Sequence, residues 1–104
     1  MKVVTEITDF LERAEKDSRL GPLHIGLYVS ILYYWLKQGG RGPARVTGKE
    51  LMPLSKICGY TPMYKTLREL HGWGYIDYKP SHSMTDKSKI YLPLLEKMGY
   101  QWKG

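Results

Sequence analysis

The sequence contains very little cysteine and no long hydrophobic run. Cys58 is the only cysteine among 104 residues, which excludes an intramolecular disulfide and is typical of a protein kept in a reducing cytosol. The longest nearly unbroken apolar stretch covers twelve residues, 25–36, whereas a helix that crosses a bilayer needs about 20. A glutamate is reached at position 6, and a secretory signal peptide does not begin in this way. The sequence therefore predicts a cytoplasmic protein with no membrane partner.

The sequence also lacks the motifs of common enzyme sites. Its candidate metal ligands are His24, His71, His82 and Cys58. Paired Cys or His ligands stand about two to five residues apart, and no two of these do. The glycines of residues 39–42 are not followed by the Gly-Lys-Ser/Thr of a phosphate-binding loop. We therefore predict that the protein is not an enzyme and holds no metal or cofactor.

What the sequence does contain is positive charge, and this charge is unevenly placed. The formal net charge is +6. Residues 1–22 hold four Lys/Arg and five Asp/Glu, a net charge of −1, whereas residues 23–104 hold twelve and five, a net charge of +7. A basic body suits a polyanionic partner such as a nucleic acid. We therefore expect the partner-facing surface to lie within residues 23–104.

Apolar residues recur at helical spacing in the first third of the chain. Residues 6–17 place apolar side chains at i, i+3, i+4 and i+7, with charges on the opposite face, which predicts an amphipathic helix. Residues 22–38 begin with a proline suited to a first turn and are apolar almost all round. A helix without a polar face belongs in the centre of a fold. We expect it to pack against the first helix on one side and against the rest of the domain on the other.

A third helix is predicted from a capping motif. Thr47 and Glu50 have the spacing of a capping box, in which each residue bonds the backbone N–H of the other. The helix is predicted to reach residue 57. Pro53 lies inside it, where the ring removes one backbone hydrogen bond and clashes with the preceding turn. The sequence therefore predicts either a kink or a split into two short turns.

A tight connection leads to a fourth predicted helix. Gly59 is interpreted as a left-handed residue after the third helix, and Cys58 as a small buried hydrophobic residue. Residues 61–72 are predicted to be helical, with Thr61 as the cap and Pro62 as the first helical residue. This helix ends at a Gly-Trp-Gly sequence, whose second glycine is predicted to turn the chain sharply into a strand.

The remaining segments predict a small sheet. Residues 44–46 suit a short strand. Residues 75–79 and 89–92 are aromatic and β-branched runs whose side chains alternate with a period of two, which predicts the two strands of a β-hairpin. The polar segment 80–88 would form the hairpin tip, and the apolar residues of 93–104 would form a tail. We therefore predict one domain over residues 1–104, mainly α with a small β part (α+β), with about four helices, a hairpin and a short third strand.

Two short helices joined by a tight turn make a helix-turn-helix, and a strand before it with a hairpin after it makes a winged helix. The stretch from Ile7 to Leu92 resembles small winged-helix proteins encoded on bacterial conjugative transposons and related mobile elements. The segments that carry the resemblance are HIGLYVSILYYW (24–35), ELMPLSKI (50–57) and YKTLRELHGWGYIDYKPS (64–81). The resemblance implies DNA binding, usually in transcriptional regulation, without enzymatic activity.

The fourth predicted helix is the candidate for the major groove of DNA. Opposite its apolar stripe lie Thr61, Lys65, Arg68 and Glu69, with Pro62 at the edge and Tyr64 beside them. Long donors on such a face reach phosphates and the O6 and N7 atoms of guanine. The alternative is an ordinary solvated helix face, and for Tyr64 partial burial.

Other cations are predicted to bind phosphates. Lys87 and Lys89 belong to the predicted wing, which suits phosphate or minor-groove contacts, the alternative being a plain surface loop. Arg45 and Lys49 flank the start of the helix-turn-helix, where they either bind the DNA backbone or keep the protein soluble.

These observations predict sequence-specific binding of double-stranded DNA, serving regulation of mobile-element genes. An accessory or architectural role in excision or replication initiation is an alternative. A second alternative is a winged-helix protein-interaction module that does not bind DNA, because a fold does not fix a function. Dimers let helix-turn-helix proteins read two half-sites, and we predict a homodimer formed through the tail, the N-terminal helix or both.

Overall fold

A computed structural model describes residues 2–81 and 87–93 of the chain. The elements in chain order are α1 (Lys2–Lys16), α2 (Pro22–Lys37), β1 (Ala44–Val46), α3 (Gly48–Ser55), α4 (Tyr60–Gly72), β2 (Asp77–Lys79) and β3 (Ser88–Tyr91). The strands form one antiparallel sheet in the order β1-β3-β2. The predicted α+β class, with four helices and a small sheet, is confirmed for these residues. The hairpin-tip residues 82–86 and the predicted tail beyond residue 93 lie outside the described residues.

The core is built around α2, as predicted. Its fully buried side chains include Leu27, Tyr28, Ile31 and Leu32. Phe10 of α1 stacks on Tyr28 with ring centroids 3.7 Å apart and an interplanar angle of 5°. The N-terminal helix is therefore held to the core by an aromatic pair. This helix begins at Lys2 rather than at residue 6, because no glycine or proline precedes residue 6 to stop it.

One side of α2 is not buried, which the sequence did not predict. Val29, Tyr33 and Leu36 are 41%, 47% and 45% exposed. Their spacing of i, i+4 and i+7 places them in one stripe along the helix. The stripe is exposed because the described elements that pack on α2 cover only the rest of its circumference. We call these three residues the apolar stripe of α2.

The capping box that opens α3 is confirmed. The Thr47 hydroxyl accepts a 3.1 Å hydrogen bond from the Glu50 backbone N–H, and Glu50 Oε1 accepts one of 3.0 Å from the Thr47 N–H. Pro53 does not split the helix, since α3 is continuous from Gly48 to Ser55. The proline removes one bond from a helix that the capping box holds at its first turn.

The turn between α3 and α4 differs from its prediction in three respects. The helix α3 ends at Ser55, two residues before position 57, because Lys56 takes the left-handed conformation with φ 64°. Gly59 also has a positive φ, 112°, but it precedes α4 as its N-cap instead of closing α3. Cys58 is exposed, and its predicted burial is wrong because the neighbouring Ile57 is the residue of this turn that enters the core.

The helix α4 begins one residue earlier than predicted. Tyr60 is its first residue, so Thr61 and Pro62 are its second and third residues and not its cap and first residue. The positive φ of Gly59 lets the chain enter the helix directly, without a side-chain cap. A proline is tolerated at the third position because the first four N–H groups of a helix have no intrahelical acceptor.

The helix-to-sheet junction turns at Gly74, as predicted, with φ 86°. Tyr75 and Ile76 follow it and are buried, and β2 begins only at Asp77 instead of at residue 75. These two side chains enter the core from the turn itself. In β3 the strand begins at Ser88 and ends at Tyr91, one residue earlier at each end than predicted.

Both outer edges of the sheet carry hydrogen bonds from the end of a helix. The Gln38 side chain, directly after α2, bonds the free edge of β1: it donates to the Arg45 carbonyl at 2.7 Å and accepts from the Arg45 N–H at 2.8 Å. The His71 Nδ1, in the last turn of α4, accepts a 3.0 Å hydrogen bond from the Tyr78 N–H at the free edge of β2. These bonds hold α2 and α4 to the two edge strands.

None of the helices in residues 2–81 and 87–93 has the length and apolar character to span a bilayer.

Candidate nucleic-acid interface

The exposed side of α4 carries polar and basic side chains in one stripe. The buried side chains of this helix are Met63, Thr66, Leu67 and Leu70. Thr61, Lys65 and Arg68 are exposed and follow one another at i, i+4 and i+7. The structure therefore brings these three predicted residues together. We call them the basic face of α4.

Glu69 is turned away from the basic face by a histidine of α2. The sequence placed this carboxylate on the outward side, but it is half-buried with its Oε1 2.9 Å from the Nε2 of His24. The Nδ1 of His24 accepts a hydrogen bond from the Gly21 N–H at 3.0 Å, so the proton belongs on Nε2, which donates to Glu69. The acidic residue closest in sequence to Arg68 is thereby engaged with α2.

Tyr64 points towards α3 rather than outward. It is half-buried, and a Cβ at Gly48 would lie 3.1 Å from its hydroxyl oxygen. The ring of the exposed Tyr60 stacks beside it with centroids 6.1 Å apart. Tyr64 also lines a small cavity with Tyr78 and Ile90 of the sheet. Of the predicted contact residues, Tyr64 is therefore the one that joins α4 to α3 and the sheet.

Tyr78 occupies the inner side of the sheet next to α4. Burial raises the pKa of its phenol, which a hydrogen bond with the Ser88 side chain partly offsets. The positive charge of Arg68 lowers the pKa of the same phenol. Because Tyr64 and Leu67 of α4 line a cavity with Tyr78, α4 packs beside the β2–β3 hairpin.

A row of three cations crosses the outer side of the sheet. Arg45 on β1 is directly opposite Lys89 on β3, and Lys89 is directly opposite Lys79 on β2. All three are exposed, while their strand neighbours Ala44 and Ile90 are buried on the inner side. We call these three residues the outer row.

The outer row lies in a wide groove of about 710 Å³. The remaining lining residues are Pro80, Ser81, Lys87 and Tyr91. Sequence reasoning had named Arg45 and Lys89 but missed Lys79. The strand register would have revealed it, because the residue opposite Lys89 on β2 shares its side of the sheet.

Lys87 and Lys49 both lie near the start of α3, and Lys87 also lines the groove of the outer row. The Lys87 ammonium is 3.1 Å from Glu50 Oε2. Partial burial raises the pKa of the Glu50 carboxyl, but the hydrogen bonds from Lys87 and the Thr47 N–H outweigh it and hold this pKa below its ordinary value. Lys49 is exposed at the second position of α3. Of the predicted phosphate contacts, Arg45, Lys87 and Lys89 therefore line one groove, whereas Lys49 lies apart from it on α3.

Within residues 2–81 and 87–93, no group of three or more His, Cys, Asp or Glu side chains is arranged to hold a metal ion. The described residues instead place cations and hydroxyls on α4 and along a groove of the sheet, and these are the groups that bind phosphates. Comparison with known proteins gives no family assignment: no protein-family model, no curated protein and no solved structure matches the chain.

Proposed function

We propose that this chain is a winged helix that binds double-stranded DNA with α4 in the major groove. The order of elements supports this, because two helices joined by a short turn, α3 and α4, have β1 before them and the β2–β3 hairpin after them, which is the order of a winged helix. The observation that carries the proposal is the basic face of α4, in which every member is exposed and the nearby carboxylate of Glu69 is turned onto His24.

The chemistry of this face suits base recognition. Arg68 and Lys65 are long donors that reach guanine O6 and N7 in the major groove, and Arg68 can do so with two parallel bonds. Thr61 lies at the N-terminal end of the helix, where hydroxyls and backbone N–H groups bind phosphate. Lys49, at the start of α3, supplies a further cation for the DNA backbone. The net charge of +7 on residues 23–104 would favour the encounter.

The proposed biological role is transcriptional regulation of mobile-element genes, in keeping with the resemblance of the sequence. An accessory role in excision or replication initiation would use the same surface. The protein-interaction alternative has one observation in its favour, the exposed apolar stripe of α2. That stripe lies on a different helix from the basic face, so the two functions call for different variants.

The test begins with selection of bound sites from random duplexes at stated salt. Lys65→Gln and Arg68→Gln are then compared with wild type on the selected site, and Lys16→Gln, an exposed lysine at the end of α1, is the charge-matched control. A base contact is worth about 1–3 kcal/mol, so either variant should lose roughly 5- to 150-fold in affinity and relax specificity at one position. Absence of duplex affinity in wild type at low salt, or variants that bind like the control, would refute the proposal.

A further inference from the structure

We propose that the outer row of the sheet is a second phosphate-binding surface, which holds the backbone of a second DNA duplex while α4 reads the first. This inference rests on the proposed function and extends it, because it makes one molecule a bridge between two duplexes. The row consists of Arg45, Lys89 and Lys79, each exposed and each directly opposite its neighbour.

The two surfaces point in different directions. Tyr64 and Leu67 of α4 line the same small cavity as Tyr78 and Ile90 of the sheet, so α4 packs against the inner side of the sheet. The outer row is on the other side, with the sheet between it and α4. Successive residues of a helix are 100° apart, so the mean direction of the basic face lies about a quarter turn from the mean direction of Tyr64 and Leu67, which face the sheet. A straight duplex seated on the basic face therefore leaves the outer row uncovered.

The charges of the outer row favour an anionic partner. Neighbouring strands are about 4.8 Å apart, so three like charges fall within about 10 Å. Like charges directly opposite one another in a sheet destabilise it. Among residues 2–81 and 87–93, Asp77 is the carboxylate ion-paired with a member of the row, at 3.6 Å from Lys79. Phosphates seated in the groove would neutralise the remaining repulsion.

A separate duplex suits this face better than the same duplex wrapped around the protein. Wrapping would require DNA to bend sharply from α4 to the far side of the sheet, over a molecule whose extents are 34 × 33 × 22 Å. Such a bend has an elastic cost that a second, straight duplex does not have. The row contacts phosphates and no base edges, so binding there should be independent of sequence.

The test uses two short duplexes with different fluorophores, one with the selected site and one unrelated, each too short to wrap. Wild type should bind two duplexes per protein monomer at low salt and bring the fluorophores together. The variant R45Q/K79Q/K89Q should keep the first duplex and lose the second. The salt dependence of the second binding event, measured for wild type, should have a log-log slope of about −2 to −3. R13Q/K16Q/K37Q, with the same change in charge on α1 and α2, is the matched control and should bind both.

The outcomes separate this inference from the proposed function. The variant K65Q/R68Q should lose the selected-site preference and keep the sequence-independent second binding; if it keeps the preference, the proposed function fails. One duplex per monomer for wild type, or unchanged bridging by R45Q/K79Q/K89Q with an unchanged melting curve, would overturn the inference. If R45Q/K79Q/K89Q loses binding to vesicles that contain phosphatidylglycerol but still bridges two duplexes, the outer row binds a lipid surface and the inference is overturned.

Discussion

The ammonium of Lys87 lies 3.1 Å from the carboxylate of Glu50, thirty-seven residues earlier in the chain. Glu50 is also the residue that completes the capping box of α3. The start of β3 and the start of α3 are thus held together through one carboxylate. This pair distinguishes Lys87 from Lys89, although the sequence gives the two lysines the same expected role.

We expect Lys89→Gln to weaken the second, sequence-independent binding event for all duplex sequences alike and to reduce the slope of its log affinity against log salt by roughly one unit. Lys87→Gln should reduce this slope less, because Glu50 already neutralises the Lys87 charge. Its effect on stability should be at most about 1 kcal/mol, since the pair is partly exposed. Titrations of both variants at several salt concentrations test the difference. Equal slopes for the two variants would show that Lys87 contacts phosphate as fully as Lys89 does.

The close approach of Gly48 and Tyr64 predicts a coupled pair of substitutions. A Cβ at Gly48 would meet the Tyr64 hydroxyl at 3.1 Å, so Gly48→Ala should be neutral or destabilising in the wild-type background. In a Tyr64→Phe background the hydroxyl is gone, and the same change should stabilise by up to about 1 kcal/mol through the unfolded chain. Urea unfolding of the four proteins measures the coupling as a double-mutant cycle. Additive effects would mean that the ring moves aside at no cost.

The positive φ of Gly74 predicts a stability loss that depends on backbone strain alone. No atom lies within 4 Å of a Cβ built there, so Gly74→Val should be destabilised by the 86° φ, by about 1 kcal/mol or more. For a domain of this size that corresponds to a fall in Tm of roughly 4–8 °C. Gly72→Ala is the matched control, because Gly72 also has open space but ends α4 with ordinary φ. An unchanged melting curve for Gly74→Val would contradict the position of this turn.

The Asp17 carboxylate predicts a specific loss of stability in acid. It accepts hydrogen bonds from Arg19 at 2.9 and 2.7 Å and from the Tyr75 hydroxyl at 2.8 Å. The Arg19 bonds, followed by the Tyr75 bond, hold the pKa of Asp17 well below its ordinary value of 3.8. The ionised form is therefore favoured by folding, so its contribution is present above pH 3.8 and is lost as the pH falls further.

Asp17→Asn should accordingly flatten the decline in the free energy of unfolding below about pH 4. Tyr75→Phe should have a smaller effect in the same direction, because it removes the weaker of the two causes. Urea unfolding from pH 6 down to pH 2.5 checks both variants. A decline in Asp17→Asn as steep as in wild type would show that other carboxyls dominate acid unfolding.

We predict that the protein forms a homodimer, and the exposed apolar surface suggests where to test it. The apolar stripe of α2 and Leu11 of α1, which is 43% exposed, offer contact area on the described residues. The variant V29K/Y33K should shift a dimer towards monomer in sedimentation at micromolar concentrations, with its α-helical content unchanged. Sedimentation of wild type as a monomer, both alone and with duplex, would contradict the prediction.

The sequence predicted what depends on periodicity and local capping. The predicted and observed bounds of α2 agree within one residue, and the predicted capping box of Thr47 and Glu50 is present with both of its hydrogen bonds. It did not predict the start of α4, because the backbone angle of Gly59 depends on how the turn packs. The prediction that Cys58 is buried is also wrong, because Ile57 takes the core position.

For the candidate site, the sequence predicted the members of the basic face but not their surroundings. The bond between Glu69 and His24 joins residues 45 positions apart, which no local pattern encodes. The outer row depends on strand register, which brings together Arg45, Lys79 and Lys89 from three separate segments. Such juxtapositions follow from tertiary packing.

The side chains of Gln38 and His71 at the two margins of the sheet have a consequence for how copies of this protein can associate. A strand added to a sheet must bond the outward N–H and C=O groups of an edge strand. Here the Arg45 N–H and carbonyl are engaged by Gln38, and the Tyr78 N–H is engaged by His71. Growth of the sheet from one molecule into the next is therefore blocked at these positions. Association must use side-chain surfaces instead, and Gln38→Ala is the change most apt to make the protein prone to fibril formation.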